Sequence, residues 1–120
     1  MAEILIIDDE PSIRRLLIRV LRGAGHTVHE ARNGEAGFEL FHRVHPELVI
    51  TDIVMPDMEG IELIRKLRQD APTVPILAIS GSGTPLYLRA ATRLGATATL
   101  AKPFEIAELL AAVERLIETV

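Results

Sequence analysis

Five times along this chain a short apolar run gives way to a longer stretch whose apolar residues recur every three or four positions. No other feature restricts the fold as much. The strand candidates are Ile4–Ile7, Thr27–Ala31, Leu48–Thr51, Pro75–Ser80 and Ala98–Ala101. Each is followed by a segment with helical periodicity. Repeated βα units imply a parallel sheet, and because their crossovers are almost always right-handed, a reversal in strand order is what places helices on both faces. Composition agrees: 48% of residues are hydrophobic but only 3% aromatic, so the core is built from Leu, Ile, Val and Ala, as suits helices packed on a buried sheet.

The helices carry their own signals. In the first, Ile13, Leu16, Leu17, Val20 and Leu21 share a face, Arg14, Arg15, Arg19 and Arg22 lie mostly off it, and Gly23 and Gly25 mark its end. The second is expected to start from an Asn33 cap, to bury Ala36, Leu40, Phe41 and Val44, and to stop before Pro46. The third presents Ile61, Ile64 and Leu67. The fourth takes Thr84 as cap and Pro85 as first helical residue, uses Leu86, Ala90 and Leu94, and stops at Gly95. The last is expected to begin near Pro103 and to bury Ile106, Leu109, Leu110, Val113, Leu116 and Ile117.

The 120 residues suit one domain, expected to span 1–120, with no linker, repeat or low-complexity segment. Seventeen acidic residues against 13 basic ones give a formal charge of -4, with no basic stripe for a phosphate backbone, so direct nucleic-acid binding is not expected. The chain has no cysteine, which excludes disulfides, thiolate metal sites and Cys nucleophiles. The apolar run after Met1 ends at Asp8, too soon for a secretory signal, and nothing approaches the roughly 20 apolar residues that span a bilayer. A soluble, cytoplasmic protein without a membrane partner is the expectation.

Open parallel sheets bind ligands at the carboxyl ends of their strands, where strand order reverses. Those ends carry Asp8 and Asp9 after the first strand, Asp52 after the third, Ser80 at the end of the fourth and Lys102 after the fifth. Three carboxylates brought together raise one another's pKa unless a cation joins them. Mg²⁺ suits such a cluster, since it is held by one or two carboxylates with waters and phosphate oxygens. Asp52 can then attack phosphorus as a nucleophile and form an acyl phosphate, while the metal and Lys102 neutralise the developing charge. Ser80 can donate its hydroxyl to a further phosphoryl oxygen and so sense the phosphate.

With these residues in view, the chain resembles a response-regulator receiver domain of two-component signalling, the CheY-like family. The resemblance is carried by Ile6-Ile7-Asp8-Asp9-Glu10-Pro11, Thr51-Asp52-Ile53-Val54-Met55-Pro56, Ile79-Ser80-Gly81, and Gly95-Ala96 followed by Lys102-Pro103-Phe104. It implies a flavodoxin-like, doubly wound five-stranded parallel sheet in the order 2-1-3-4-5 with helices on both faces. It further implies that a histidine kinase or histidine phosphotransfer protein phosphorylates Asp52, and that Asp9 ligates Mg²⁺ directly, Asp8 mainly through water. Asp52 and the backbone carbonyl of Val54 complete that set. The phosphorylated state would shift the α4-β5-α5 side and control binding of a downstream protein. Such a chain is a switch, an enzyme only toward its own phosphorylation and dephosphorylation.

One position departs from the family pattern: Thr99 stands three residues before the lysine, where Tyr or Phe is usual. Thr97 and Ala98 also replace acidic residues common there. Signal is then expected to reach the last two helices through backbone and loop shifts. Two rival readings remain. A haloacid-dehalogenase-like phosphatase shares the Asp, Mg²⁺, Ser/Thr and Lys chemistry, but its Asp-x-Asp arrangement is absent and the chain is small. A phosphorylation-independent docking receiver is the other, encouraged by Thr99 and opposed by the gathered carboxylates. His42 and His45 have helical spacing but no evident third ligand, and are expected on a solvated face. Gly81-Ser82-Gly83 is expected to be a turn, and Arg89 with Arg93 a solvated face or a partner contact.

Overall fold

The computed structural model describes residues 2–53, 60–81 and 85–118. Five strands alternate with five helices: β1 (Glu3–Ile7), α1 (Pro11–Gly23), β2 (Thr27–Ala31), α2 (Gly34–Val44), β3 (Leu48–Asp52), α3 (Gly60–Asp70), β4 (Ile76–Ser80), α4 (Pro85–Leu94), β5 (Ala98–Ala101) and α5 (Ile106–Glu118). All four strand pairings are parallel and the order is β2-β1-β3-β4-β5, as the resemblance implies.

Because successive strand side chains point to opposite faces, the sheet divides its apolar residues between two cores. Leu5, Ile7, Val49, Ile76 and Ala78 face one way and meet Phe41 of α2, Leu63, Ile64 and Leu67 of α3, and Ala91 of α4. Ile4, Ile6, Leu48, Ile50, Leu77 and Ile79 face the other way and meet Leu17 and Leu21 of α1 with Leu109, Val113 and Leu116 of α5. The central strands β1, β3 and β4 are apolar on both sides, so they read as unbroken runs rather than alternating ones.

Several local expectations hold. Asn33 caps α2, its side-chain oxygen accepting from the Ala36 N–H at 2.8 Å. The helix ends at His45 in the left-handed region (φ 53), directly before Pro46. Pro85 is the first residue of α4, while Thr84 and most of Gly81-Ser82-Gly83 lie outside the described residues.

Others need correction. In α2 the buried face is Gly34, Gly37 and Phe41, and Ala36 is exposed. The helix lies so close to β1 that a Cβ on Gly37 would sit 2.5 Å from Cδ1 of Ile7, so the Ile7 side chain would have to shift to admit it. In α3 Leu63 is buried as well, and in α4 Ala91, not Ala90, is fully buried. Leu16 was assigned to the buried face of α1 but is 36% exposed, and Ile106 is 48% exposed. α5 begins at Ile106 rather than near Pro103, because Glu105 provides the first helical carbonyl, to the Leu109 N–H at 3.1 Å, while Glu108 reaches back to the Glu105 N–H at 3.0 Å. β4 starts after Pro75, which lacks an N–H but accepts from Val49 through its carbonyl at 3.0 Å. His42 is exposed as expected, yet not merely solvated: it pairs with Asp70 of α3 at 3.1 Å and packs edge-on against Phe38 and Phe41.

Candidate functional site

The strand ends bring the expected residues together. Asp8 follows β1 directly, Asp52 ends β3, Ser80 ends β4 and Lys102 follows β5. Registers Ile7↔Thr51, Asp52↔Ile79 and Ser80↔Ala101 align these termini along one edge of the sheet. Lys102 is anchored by its N–H, which donates to the Ser80 carbonyl at 2.6 Å. Its ammonium reaches across the sheet to Asp8 Oδ2 at 3.3 Å and Asp52 Oδ2 at 3.6 Å. Asp8 is 1% exposed, Asp52 6% and Ser80 0%, so each polar group has left water for the protein interior.

Asp8 is held on every side. Its N–H donates to the Ala31 carbonyl of β2 at 3.2 Å, its Oδ1 accepts from the Glu10 N–H at 2.9 Å, and its carbonyl accepts from Arg14 Nη1 at 2.7 Å. Arg14 is steadied in turn by Glu30, 2.9 Å from its Nε. At the end of β3, the Ile53 N–H donates to Ile79, and the Ile53 carbonyl accepts from the Gly60 N–H at 2.7 Å, which seats the start of α3 on the backbone beside Asp52. Thr51 is buried and its hydroxyl donates to the Asp52 carbonyl at 2.8 Å.

The electrostatics follow from burial. Loss of water raises the Asp8 carboxyl above its ordinary 3.8, against the lowering effects of the Glu10 N–H and of Lys102. For Lys102 burial alone would lower the ammonium, but Asp8 and Asp52 outweigh it and the net shift is upward. Asp8, Asp9, Glu10 and Asp52 each offer a carboxylate oxygen, all within 4.8 Å of one another, and no other described residues gather three such donors. Four carboxylates gathered beside one ammonium, three of them in contact with it, leave surplus negative charge. The donors are all oxygen, which fits a hard divalent cation such as Mg²⁺ rather than a thiophilic metal.

Asp8, Asp9, Asp52, Ser80 and Lys102 are thus placed as the sequence suggests, and the Val54 carbonyl lies outside the described residues. Sequence reasoning missed two participants. Glu10 was noted only as part of a motif, although its acidity beside the Asp pair was a usable signal. Arg14 is marked by the sequence only as lying off the apolar face of the first helix; nothing in its spacing distinguishes it from Arg15, and only the fold turns it toward the Asp8 carbonyl. Thr99 is exposed on the edge strand β5, paired in register with Ala78.

Comparison with known proteins agrees with this geometry. The response regulator receiver domain model matches residues 4–114. Regulatory protein AtoC of Escherichia coli (strain K12) is 34% identical over 115 residues, 96% of this chain and 25% of that protein. The receiver domain of NtrX from Brucella abortus superposes with a TM-score of 0.94 at 31% identity, covering 98% of this chain and 99% of that one. Vibrio cholerae chemotaxis protein CheY4 gives 0.90 at 30% identity, covering 97% and 98%. The chain spans half or less of the length of the curated relatives it matches. The chain belongs to the response regulator receiver domain family of two-component signalling.

Proposed function

We propose that Asp52 is the phosphoacceptor of this receiver domain and takes its phosphoryl group from a phosphohistidine on a histidine kinase or phosphotransfer protein. The observation that carries this reading is the placement of the Lys102 ammonium within 3.6 Å of both Asp8 and Asp52 at the sheet's carboxyl edge. A carboxylate oxygen of Asp52 attacks phosphorus as the P–N bond to the donor imidazole breaks, its electron pair returning to the ring. Lys102 balances charge on the transferred oxygens, and the Ser80 hydroxyl donates to one of them. Mg²⁺, held by Asp8, Asp9, Asp52 and the Val54 carbonyl, would supply Lewis-acid neutralisation of the phosphoryl charge.

The surface beside the site suits such a donor. Ile13, Leu16, Pro103 and Phe104 line an apolar cleft of about 340 Å³ that also touches Lys102 and Gly81. Next to it, Arg15 and Arg19 stand exposed on a helix that carries four arginines and no acidic residue. An amphipathic helix with acidic margins, presenting its phosphohistidine toward Asp52, fits that surface by charge and shape. Output runs through the α4-β5-α5 side to a protein partner, with Thr99 supplying no aromatic ring and the shift carried by backbone and loops. The chain works in the cytoplasm and does not itself contact nucleic acid.

Intact mass after incubation with a small phosphoryl donor, with and without Mg²⁺, tests the reading. A gain of one phosphoryl group that needs Mg²⁺ and disappears in Asp52→Asn is expected. No gain with any donor would leave a phosphate-independent docking module as the better reading.

A further inference from the structure

Glu10 occupies the N-cap of α1 but does not cap it: its side chain makes no hydrogen bond to the helix N–H groups. The short side chains of Asp, Asn, Ser and Thr commonly turn back onto those donors at this position, and the longer Glu is free to reach elsewhere. Here the carboxylate points the other way, its Oε1 lying 3.3 Å from the Lys102 ammonium. The side chain is 56% exposed, so it stands at the mouth of the site while Asp8 and Asp52 form its floor. Lys102 therefore has three carboxylates around it, one of which stands exposed at the mouth of the site.

We propose that Glu10 sets the donor preference of the site, discriminating against dianionic phosphoryl donors by holding Lys102 and by repelling their charge. The inference rests on phosphoryl transfer to Asp52. For that transfer the ammonium must exchange its contact with Glu10 for one with the phosphoryl oxygens, and the Glu10 carboxylate must tolerate the approaching charge. A donor with two negative charges meets the full repulsion, whereas one with a single charge meets about half of it. Glu10 is a positioning residue, acting through Lys102. Exposed ion pairs are weak, so the effect is a matter of a few-fold in rate.

The test compares the natural chain with Glu10→Gln, which keeps shape and loses charge, using two donors at neutral pH. Acetyl phosphate is a dianion there and gives acetate as its P–O bond breaks; phosphoramidate carries one net negative charge and releases ammonia as its P–N bond breaks. The expected result is a rise of about threefold in the acetyl phosphate rate at low ionic strength, a smaller rise with phosphoramidate, and convergence of the two at high salt. Equal changes with both donors, or none, would overturn the proposal. Mg²⁺ affinity, measured by calorimetry, separates a further possibility: a loss as large as that of Asp9→Asn would make Glu10 a metal ligand and would also overturn it. If the natural chain takes up no phosphoryl group from either donor, the Asp52 reading fails and this inference with it.

Discussion

Gly60→Ala is expected to destabilise the protein although it adds one methyl group to a helix, where alanine is ordinarily preferred. Gly60 opens α3, and its N–H donates to the Ile53 carbonyl at 2.7 Å. A Cβ there would lie 2.5 Å from the Cα of Ile53 and 2.7 Å from its carbonyl oxygen, and would also press on the Asp52 carbonyl. These are backbone atoms of the strand end, which no rotamer change can move aside. Overpacking of this kind costs about 1–3 kcal/mol, and the gain from a stiffer unfolded chain returns only about 0.4–1 kcal/mol. The net loss is about 1–2 kcal/mol, or roughly 0.5–1 M in urea midpoint for a slope of about 2 kcal/mol/M. Gly23→Ala is the control. It ends α1 with nothing within 4 Å of a new Cβ, so the same methyl should stabilise by about 0.4–1 kcal/mol. Urea unfolding of the three chains under identical conditions gives both signs at once. A Gly60→Ala chain as stable as the parent would refute the reasoning that α3 is seated on the Asp52–Ile53 backbone. The displaced atoms include the backbone carbonyl of the proposed phosphoacceptor Asp52, so phosphorylation by a small donor should slow as well.

Asp8→Asn tests the burial of the carboxyl. A folded-state pKa raised above 3.8 means that the metal-free native state binds the Asp8 proton more tightly than the unfolded chain, so this contribution to stability is full below that value and is lost as pH rises through the folded pKa. In chelator, the melting temperature of Asp8→Asn relative to the parent should therefore climb as pH rises from about 3.8, and Mg²⁺ should restore the parent but not the variant; parallel curves would count against it. Arg14→Ala removes the 2.7 Å bond to the Asp8 carbonyl and should cost about 1–2 kcal/mol, with weaker Mg²⁺ binding by calorimetry. Arg14→Lys should recover part of that loss. Leu63→Ala, in a fully buried position, should lose about 2–5 kcal/mol in urea unfolding. Leu16→Ala should stay within about 0.5 kcal/mol yet slow phosphotransfer from a protein donor while leaving the acetyl phosphate rate unchanged.

The order of strands and helices, the doubly wound sheet and the membership of Asp8, Asp9, Asp52, Ser80 and Lys102 in one edge were legible from the chain alone. The reason is periodicity: a buried parallel strand must be apolar throughout, a covering helix must be apolar every three or four residues, and functional residues must then fall where strands end. Tertiary structure decided what periodicity does not encode. Gly37 and Gly60 look unremarkable in a helical pattern, but a Cβ at Gly37 would push the Ile7 side chain aside and a Cβ at Gly60 would meet the Asp52–Ile53 backbone. Leu16 and Ile106 carry the same hydrophobic signal as their buried neighbours, yet lie beyond the sheet's reach and remain on the surface. Arg14 and Arg15 are indistinguishable by spacing until the fold places the Asp8 carbonyl beside one of them. Only the folded chain closes the 94 positions between Asp8 and Lys102 to 3.3 Å, because the charge balance of the site depends on distances that the order of residues does not contain.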